Sequence, residues 1–316
     1  MKIYLAPMEG LVDQYMRETL TNLGGYDACV TEFVRVVDLL LPIKVFKRLC
    51  PELQTDGKTP AGTPVIVQLL GADIEAMAAN AVRAVELGAP GVDINFGCPS
   101  RCVNKRNGGA YLLKDPNKIH DIVSAIRHAV DDTIPVSAKI RLGYENTDLA
   151  LENANAVQAA GASYITVHAR TKVDGYKPPA KWDWLGKIKD ELSIPVIANG
   201  DIASVNDYRR CIEISGCDHI MIGRAAVSCP DLAAQIYHDH HNQHYSPIEW
   251  PDVHHLIVKM AANMKDGIKD RYAMARVKQW LAYLKKSYPE AESYFSTIKS
   301  FTTFDELNSF LSNIEI

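Results

Sequence analysis

Short runs of apolar residues alternate with segments of helical periodicity along most of this chain. Eight runs predict strands, at 3–6, 28–32, 64–69, 91–95, 136–141, 164–168, 195–199 and 219–222. Several, such as Val196-Ile197-Ala198, are apolar throughout, which is typical of strands buried on both faces.

Amphipathic helices are predicted between the strands. The clearest follows Asp73, a favourable N-cap residue, and ends before Gly88. Eight strand–helix units over about 230 residues predict an α/β fold of the (β/α)8, or TIM-barrel, type. A doubly wound sheet is the alternative, but no G-x-G-x-x-G sequence supports a dinucleotide-binding unit.

The pattern changes near residue 240. We interpret the histidine-rich stretch 238–244 as a linker rather than a metal site, and we predict only helices beyond it. Two domains are therefore expected, a barrel over residues 1–240 and a small all-helical domain over residues 241–316.

Composition excludes several classes of protein. Hydrophobic residues make up 47% and charged residues 23% of 316 residues, as in ordinary globular proteins. Neither a membrane-spanning run nor a signal-peptide layout is found, and the seven cysteines show no secreted spacing, so a cytoplasmic location is expected. A net charge of −4 argues against nucleic-acid binding by the whole surface but not by a local patch. No metal site or obligate protein partner is indicated, so we expect a monomer.

The residues that end the predicted strands carry the candidate chemistry, because barrel active sites lie at the carboxyl ends of the strands. Amide, lysine, histidine and arginine side chains together suit a large heterocycle that carries a phosphate. Lys139 by itself would also suit a Schiff-base aldolase. The strand-end residues assigned to a cofactor are Pro7, Met8, Glu9, Gln68, Lys139, His168, Asn199, Gly200, Asp201, Gly223 and Arg224.

Cys98 follows the fourth predicted strand on a constrained turn. Pro99 restricts the backbone of Cys98 to extended conformations, and Gly97 allows the backbone to approach a ligand closely. A thiol held in this way at a barrel mouth indicates a chemical role rather than an inert buried cysteine.

Nine short segments fall in order along the predicted barrel. They are Ala6-Pro7-Met8-Glu9-Gly10, Thr31-Glu32-Phe33, Val67-Gln68-Leu69, Asn95-Phe96-Gly97-Cys98-Pro99, Asn107-Gly108-Gly109-Ala110, Lys139-Ile140-Arg141, His168-Ala169-Arg170-Thr171, Asn199-Gly200-Asp201-Ile202 and Met221-Ile222-Gly223-Arg224. Together they resemble the tRNA-dihydrouridine synthases. Two segments, Val34-Arg35-Val36 and Arg276-Val277-Lys278-Gln279-Trp280-Leu281, are similar to the bacterial C-type branch, which acts on uridine 16 of the D-loop.

This resemblance implies an FMN-dependent TIM barrel with a C-terminal helical domain, which reduces the C5–C6 bond of a tRNA uridine with NADPH or NADH. It implies that Cys98 is the general acid that protonates C5. Because such a donor must be a thiol, its pKa must not be strongly lowered, and we expect Lys139 beside the flavin rather than beside Cys98. The resemblance also places Asn95 and Arg141 against the flipped nucleotide, with Tyr176 nearby.

A basic stripe is predicted on one helix of the C-terminal domain. Arg271, Lys278 and Lys285 fall within about 40° of each other on a helical wheel, roughly opposite an apolar face. An outward-facing stripe predicts contact with tRNA phosphates, so substitution of Lys278 should weaken tRNA binding in a salt-dependent way. The expected tRNA contacts outside the target nucleotide are Arg35, Arg271, Tyr272, Arg276, Lys278, Gln279 and Lys285.

Two other functions remain open from the sequence. One is an FMN dehydrogenase that acts on a free dihydropyrimidine, although such barrels lack a basic helical tail of this kind. The other is an RNA-binding protein built on an inactive barrel, which would contain no flavin.

Overall fold

The computed structural model describes residues 1–265 and 267–313. Residue 266 and residues 314–316 of the predicted helical domain lie outside the described residues. The strands are β1 Lys2–Leu5, β2 Ala28–Val30, β3 Val34–Arg35, β4 Val65–Leu70, β5 Val92–Asn95, β6 Val136–Arg141, β7 Tyr164–His168, β8 Val196–Asn199 and β9 His219–Ile222.

Helices follow the strands and then form the C-terminal part. Those up to residue 240 are α1 Gln14–Thr21, α2 Ile43–Leu49, α3 Ile74–Glu86, α4 Arg101–Asn104, α5 Pro116–Ala129, α6 Ala150–Ala159, α7 Trp182–Glu191, α8 Val205–Ser215, α9 Ala225–Ser228 and α10 Leu232–His240. Beyond them lie α11 Trp250–Lys265, α12 Asp270–Leu284, α13 Glu290–Ile298 and α14 Phe304–Asn313. Short 3-10 helices span Pro51–Gln54 and Gly109–Lys114. None of the helices in the described ranges is long and apolar enough to cross a membrane.

Eight parallel strands close the barrel in the order β1-β2-β4-β5-β6-β7-β8-β9, with β9 paired back to β1. The predicted TIM barrel followed by helices is therefore confirmed. The two-residue strand β3 was not predicted, because two residues show no periodicity. It pairs Val34 with Leu69 and extends the sheet beside the carboxyl end of β4.

Side chains alternate across the barrel wall and divide its interior into two halves. On β1, Ile3 and Leu5 pack outward against the helices, while Tyr4 points inward and packs with Ile197 and Met221. Strands β4 to β6 instead place the polar side chains of Gln68, Asp93, Ser137 and Lys139 together, and the registers align them on neighbouring strands. This polar half leads directly to the barrel mouth.

The predicted cap of α3 is confirmed. The Asp73 carboxylate accepts a hydrogen bond from the backbone N–H of Ala76 at 2.9 Å. This bond satisfies one of the free N–H groups of the first turn and fixes where the helix begins.

Helix α12 is fastened to the barrel by two residues of its inner face. Trp280 is fully buried, and its indole N–H donates to the carbonyl of Val227 at 3.0 Å. Arg276 forms an ion pair with Asp13 at 2.8 Å and donates to the carbonyls of Gly10 and Leu11. The C-terminal helices therefore hold the loop that follows β1.

Candidate active site

A cavity of about 890 Å³ lies at the carboxyl ends of the barrel strands. It brings together Cys98, every residue predicted to bind the cofactor, and Asn95, Arg141 and Tyr176. Gln279, Tyr283 and Lys286 from α12 and the turn after it complete its wall. The site therefore lies between the barrel mouth and the C-terminal helices.

The turn that carries Cys98 is held on both sides. Asn95 Oδ1 accepts hydrogen bonds from the backbone N–H groups of Gly97 and Cys98, each at 2.9 Å. Arg141 Nε donates to the Gly97 carbonyl at 2.8 Å, and Asn104 Nδ2 donates to the Cys98 carbonyl at 2.9 Å. The position of the Cys98 turn is thus set by hydrogen bonds to its backbone.

The Cys98 thiol has the protonation that an acid requires. Burial raises the pKa of Cys98 above its usual value, and this effect outweighs the lowering by the Ser100 N–H and by the charge of Arg141. Lys139 does not contact the sulfur, because its ammonium group donates to Asn199 Oδ1 at 3.0 Å. Cys98 is therefore a neutral thiol near pH 7.

Cys102 differs from Cys98 in both exposure and pKa. It is exposed, and hydrogen bonding to Arg35 lowers the pKa of its thiol. Arg35 Nη1 lies 3.4 Å from the Cys102 sulfur, and Nη2 donates to the Cys102 carbonyl at 3.2 Å. Arg35, a predicted tRNA contact, thus lies outside the cavity and packs on α4.

Lys139 and His168 both line the cavity, and both have lowered pKa values. Burial, followed by the nearby charge of Arg141, lowers the pKa of Lys139 to about 8. Burial and the surrounding cations, Arg141 first, lower the pKa of His168 well below its usual value, so its ring is neutral. Arg170 Nη1 lies 3.2 Å from His168 Nε2. Because arginine only donates, Nε2 accepts and the ring proton is on Nδ1.

The part of the cavity wall that follows β8 and β9 is closely packed at Gly200 and open at Gly223. Gly200 has φ +122, and an added Cβ would lie 3.1 Å from the His168 ring, so this position requires glycine. Asp201 is tied to Arg170 and to the Ala180 N–H. At Gly223, by contrast, an added Cβ would meet nothing within 4 Å.

Arg224 lies next to that open space. Its guanidinium makes no hydrogen bond or ion pair with the residues that the structure describes, and its Cζ lies 4.5 Å from the centre of the Tyr176 ring. Tyr176 is 52% exposed, and Arg141 approaches the same ring at 5.2 Å. The Arg224 guanidinium is therefore available to an anionic ligand, and it lies against the exposed Tyr176 ring.

Comparison with known families shows which family the chain belongs to. The family model described as dihydrouridine synthase (Dus) matches residues 4–315. The chain belongs to the dihydrouridine synthase family. The resemblance inferred from the nine barrel segments is therefore confirmed.

Relatives cover nearly the whole chain. A protein from Shewanella oneidensis named tRNA-dihydrouridine(16) synthase is 52% identical over 97% of this chain and 96% of its own. One of the same name from Pseudomonas putida is 50% identical over 95% and 93%. A solved old yellow enzyme homologue from Zymomonas mobilis covers 79% of this chain and 91% of its own, with a TM-score of 0.54 and 12% identity, and shows the shared fold.

The predicted basic stripe of this dihydrouridine synthase is only partly exposed. Arg271 and its neighbour Tyr272 face solvent as expected. Lys278, however, donates to the Lys299 and Phe301 carbonyls at 3.2 and 2.8 Å. The prediction of an outward-facing stripe is wrong for Lys278, because the residues that follow α13 half-bury it and bind its ammonium group.

Lys285 shows the same departure. It pairs with Glu292 at 2.9 Å, and its ammonium lies 4.5 Å from the centre of the Phe295 ring. The outward-facing prediction is therefore wrong here too, since α13 packs on this face of α12. A helical wheel gives the face of a helix but not what packs on it.

Arg276 and Gln279 bind the barrel rather than facing solvent. Both donate to the Gly10 carbonyl, Arg276 at 2.8 Å and Gln279 at 3.0 Å. Asp13 and two carbonyls bind the Arg276 guanidinium, so Arg276 has a structural role, and its direct contact with tRNA stays a prediction.

Two functional positions were missed from the sequence. Lys286, exposed at the cavity wall, was assigned no role from the sequence. Asp93 was overlooked although a carboxylate at an inward position of a buried strand is itself a signal. It is 1% exposed and accepts from Gln68 Nε2 at 2.6 Å, while Gln68 Oε1 accepts from Asn95. Gln68 therefore has one N–H and one lone pair left for a cofactor.

Proposed function

We propose that this chain reduces the C5–C6 bond of uridine 16 in tRNA to dihydrouridine, with bound FMN and with NADPH or NADH as reductant. The observation that carries the proposal is the protonated Cys98 thiol in a cavity shared with Lys139, His168 and Arg224. The two relatives named for modification at position 16 support the choice of substrate.

The donors in the cavity fit a flavin that carries a phosphate. Lys139 makes one hydrogen bond to the described residues, so two of its N–H groups are available to carbonyl and nitrogen acceptors of a ring. Arg224 and the open space at Gly223 suit a phosphate, which binds strongly to guanidinium donors. The neutral His168 ring offers its Nδ1–H as a further donor.

Reduction of uridine requires a hydride at C6 and a proton at C5. The hydride would come from reduced flavin when it is bound in the cavity. Cys98 supplies the proton, so its S–H bond breaks as the C5–H bond forms, and the thiolate that remains takes a proton from solvent before the next turnover. Because burial disfavours the thiolate, Cys98 keeps its proton until the substrate accepts it.

The cavity mouth suits a base that has left its stack. A uridine inside folded tRNA must turn outward to reach the barrel interior. The exposed Tyr176 ring, flanked by Arg141 and Arg224, offers a surface on which such a base can stack. Arg141 also binds the Gly97 carbonyl, so it links this surface to the Cys98 turn.

We further infer a division of labour between two domains, with residues 1–240 holding the flavin and residues 241–316 binding tRNA. The exposed Arg271 and Tyr272 on α12 and Lys286 at the cavity wall support this division. The proposal is for a cytoplasmic enzyme that acts as a monomer.

Mapping of dihydrouridine tests this function directly. Cells that lack the gene should lose dihydrouridine at position 16 alone, and wild-type protein should restore it. The purified protein should be yellow because of its flavin. Unchanged dihydrouridine at position 16 would contradict the proposal, as would turnover of free dihydropyrimidines without RNA. A colourless protein that still binds tRNA would point to an RNA-binding role instead.

Salt dependence distinguishes the two kinds of basic residue on α12. Replacing Arg271 with glutamine should make the slope of log affinity for tRNA against log salt concentration shallower by about one, as expected when one phosphate contact is lost. The matched control is Lys278→Met, which should leave the slope unchanged and lower thermal stability, because Lys278 binds two carbonyls of its own chain. Equal changes of slope in both variants would argue against this assignment.

A further inference from the structure

A continuous row of hydrogen bonds runs from the barrel interior to the backbone of Cys98. Gln68 Nε2 donates to Asp93 Oδ2 at 2.6 Å, and Asn95 Nδ2 donates to Gln68 Oε1 at 2.8 Å. Asn95 Oδ1 then accepts from the backbone N–H groups of Gly97 and Cys98. We call Asp93, Gln68 and Asn95 the amide chain.

The direction of every bond in the amide chain follows from the carboxylate at its end. Burial raises the pKa of Asp93 to about 6, so near neutral pH its carboxylate is mostly ionised and only accepts hydrogen bonds. Gln68 must then turn its NH2 group toward Asp93 and its carbonyl toward Asn95. Asn95 must then turn its own NH2 group to Gln68, which leaves Oδ1 facing the Cys98 turn. A reversed chain would set the Asn95 NH2 group against two backbone N–H donors.

Burial makes this arrangement costly to break. Gln68 is fully buried, Asp93 is 1% exposed and Asn95 is 9% exposed. Away from water, a donor without its acceptor is not compensated by solvent. Loss of the Asp93 acceptor would therefore free Gln68 to rotate, and Asn95 would lose the partner that orients it.

We propose that Asp93 is a positioning residue for proton transfer: its carboxylate orients the Gln68 and Asn95 amides so that Asn95 holds the Cys98 turn in place. Asp93 does not touch the thiol or the cavity. Its effect on catalysis rests on the proposed function, whereas its effect on the Cys98 turn does not.

A second partner of Asp93 separates this role from general structural support. Ser137 Oγ donates to Asp93 Oδ1 at 2.7 Å, and Ser137 is equally buried but is not connected to the Cys98 turn. Asp93 also favours the charged form of Lys139, but no hydrogen bond joins the two in the described residues. Ser137 therefore provides a matched control within the same cluster.

Alkylation of Cys98 measures the state of its turn. Full-length variants in a Cys102→Ser background, each freed of flavin, are treated with iodoacetamide, and the rate at Cys98 is followed by peptide mass spectrometry. Asp93→Leu should raise this rate about tenfold, because the buried Gln68 NH2 group then lacks its acceptor and the amide chain no longer holds the Cys98 turn firmly. Ser137→Ala should leave the rate unchanged, and thermal midpoints show whether either variant is globally destabilised.

Exchanging the charged and the neutral side chain between positions 93 and 68 tests the direction of the hydrogen bonds in the amide chain. In Asp93→Asn/Gln68→Glu, Asn at position 93 donates to Glu at position 68, which again presents only acceptors to Asn95. This double variant should return the alkylation rate toward its starting value. A double variant as reactive as Asp93→Leu, an unchanged rate in Asp93→Leu, or an equal rise in Ser137→Ala would each overturn the proposal.

Two further measurements keep the test decisive. If Asp93→Leu does not fold, Gln68→Met interrupts the amide chain at its second residue and should raise the alkylation rate of Cys98. An unchanged alkylation rate in Gln68→Met would overturn the proposal. With flavin and tRNA, Asp93→Leu should lower kcat and leave KM for tRNA unchanged. A wild-type chain without synthase activity would refute the proposed function while leaving the alkylation result valid.

Discussion

Replacing Cys98 with alanine should lower kcat for uridine reduction by about 10²- to 10⁴-fold, the range that a positioned acid contributes. The half-buried Cys98 thiol, which lines the cavity and has a raised pKa, is the proton donor in the proposed reaction, and alanine offers no proton at that position. Flavin content and tRNA affinity should remain as in the wild type, because the turn is held by Asn95 and Arg141 through its backbone.

Cys102→Ala is the matched control for this prediction. Cys102 lies four residues further on, is exposed and does not line the cavity, and its lowered pKa leaves less of the thiol protonated. The Cys102→Ala variant should retain most of the wild-type activity. Steady-state kinetics with unmodified tRNA, together with the flavin absorption spectrum of each variant, provide the measurement. Wild-type turnover by Cys98→Ala would remove Cys98 from the mechanism.

Replacing Glu52 with alanine should lower the free energy of unfolding by about 3–5 kcal/mol, because it leaves a buried charge without its partner. Arg17 is fully buried, and its Nε and Nη2 atoms bind the two oxygens of Glu52 at 2.8 Å each. The guanidinium also donates to the carbonyls of Val12 and Leu49, so it is fixed in place and cannot turn to water. Urea unfolding with an unchanged m-value measures the loss.

The double variant Arg17→Met/Glu52→Leu provides the control. It removes both charges and fills the space with apolar atoms, and such replacements of buried pairs are often neutral or stabilising. We therefore expect it to recover most of the stability that Glu52→Ala loses. A double variant no more stable than Glu52→Ala would show that the loss comes from packing rather than from the unpaired charge.

The fold could be predicted in detail because its signals are local. Strands buried on both faces are apolar throughout, and the caps and glycines between them mark where helices begin and end, as Asp73 does. The strand-end residues could be assigned to one site for a topological reason. Since all strands of a barrel are parallel, residues as distant in sequence as Pro7, Lys139 and Arg224 must meet at one rim.

The partners of those residues could not be predicted. Gln68 and Asn95 were expected to bind the cofactor and the nucleotide, yet each uses one donor and one acceptor within the protein. Which groups an amide binds depends on strand register and side-chain rotation, and the sequence shows neither. The carboxylate of Asp93 was a signal in the sequence, but its partners were decided only by the register that places it between Gln68 and Ser137.

The sequence by itself determined the barrel, the C-terminal helices and the set of residues at the barrel mouth, since these depend on periodicity and chain direction. Only the tertiary structure decided which basic residues of α12 face solvent and which bind other segments of the protein. Its basic residues lie on the predicted face, but α13 and the residues after it half-bury Lys285 and Lys278, and Arg276 binds the loop after β1. Periodicity orients a residue on its own helix, whereas the surface that meets it is set by packing between segments distant in the chain.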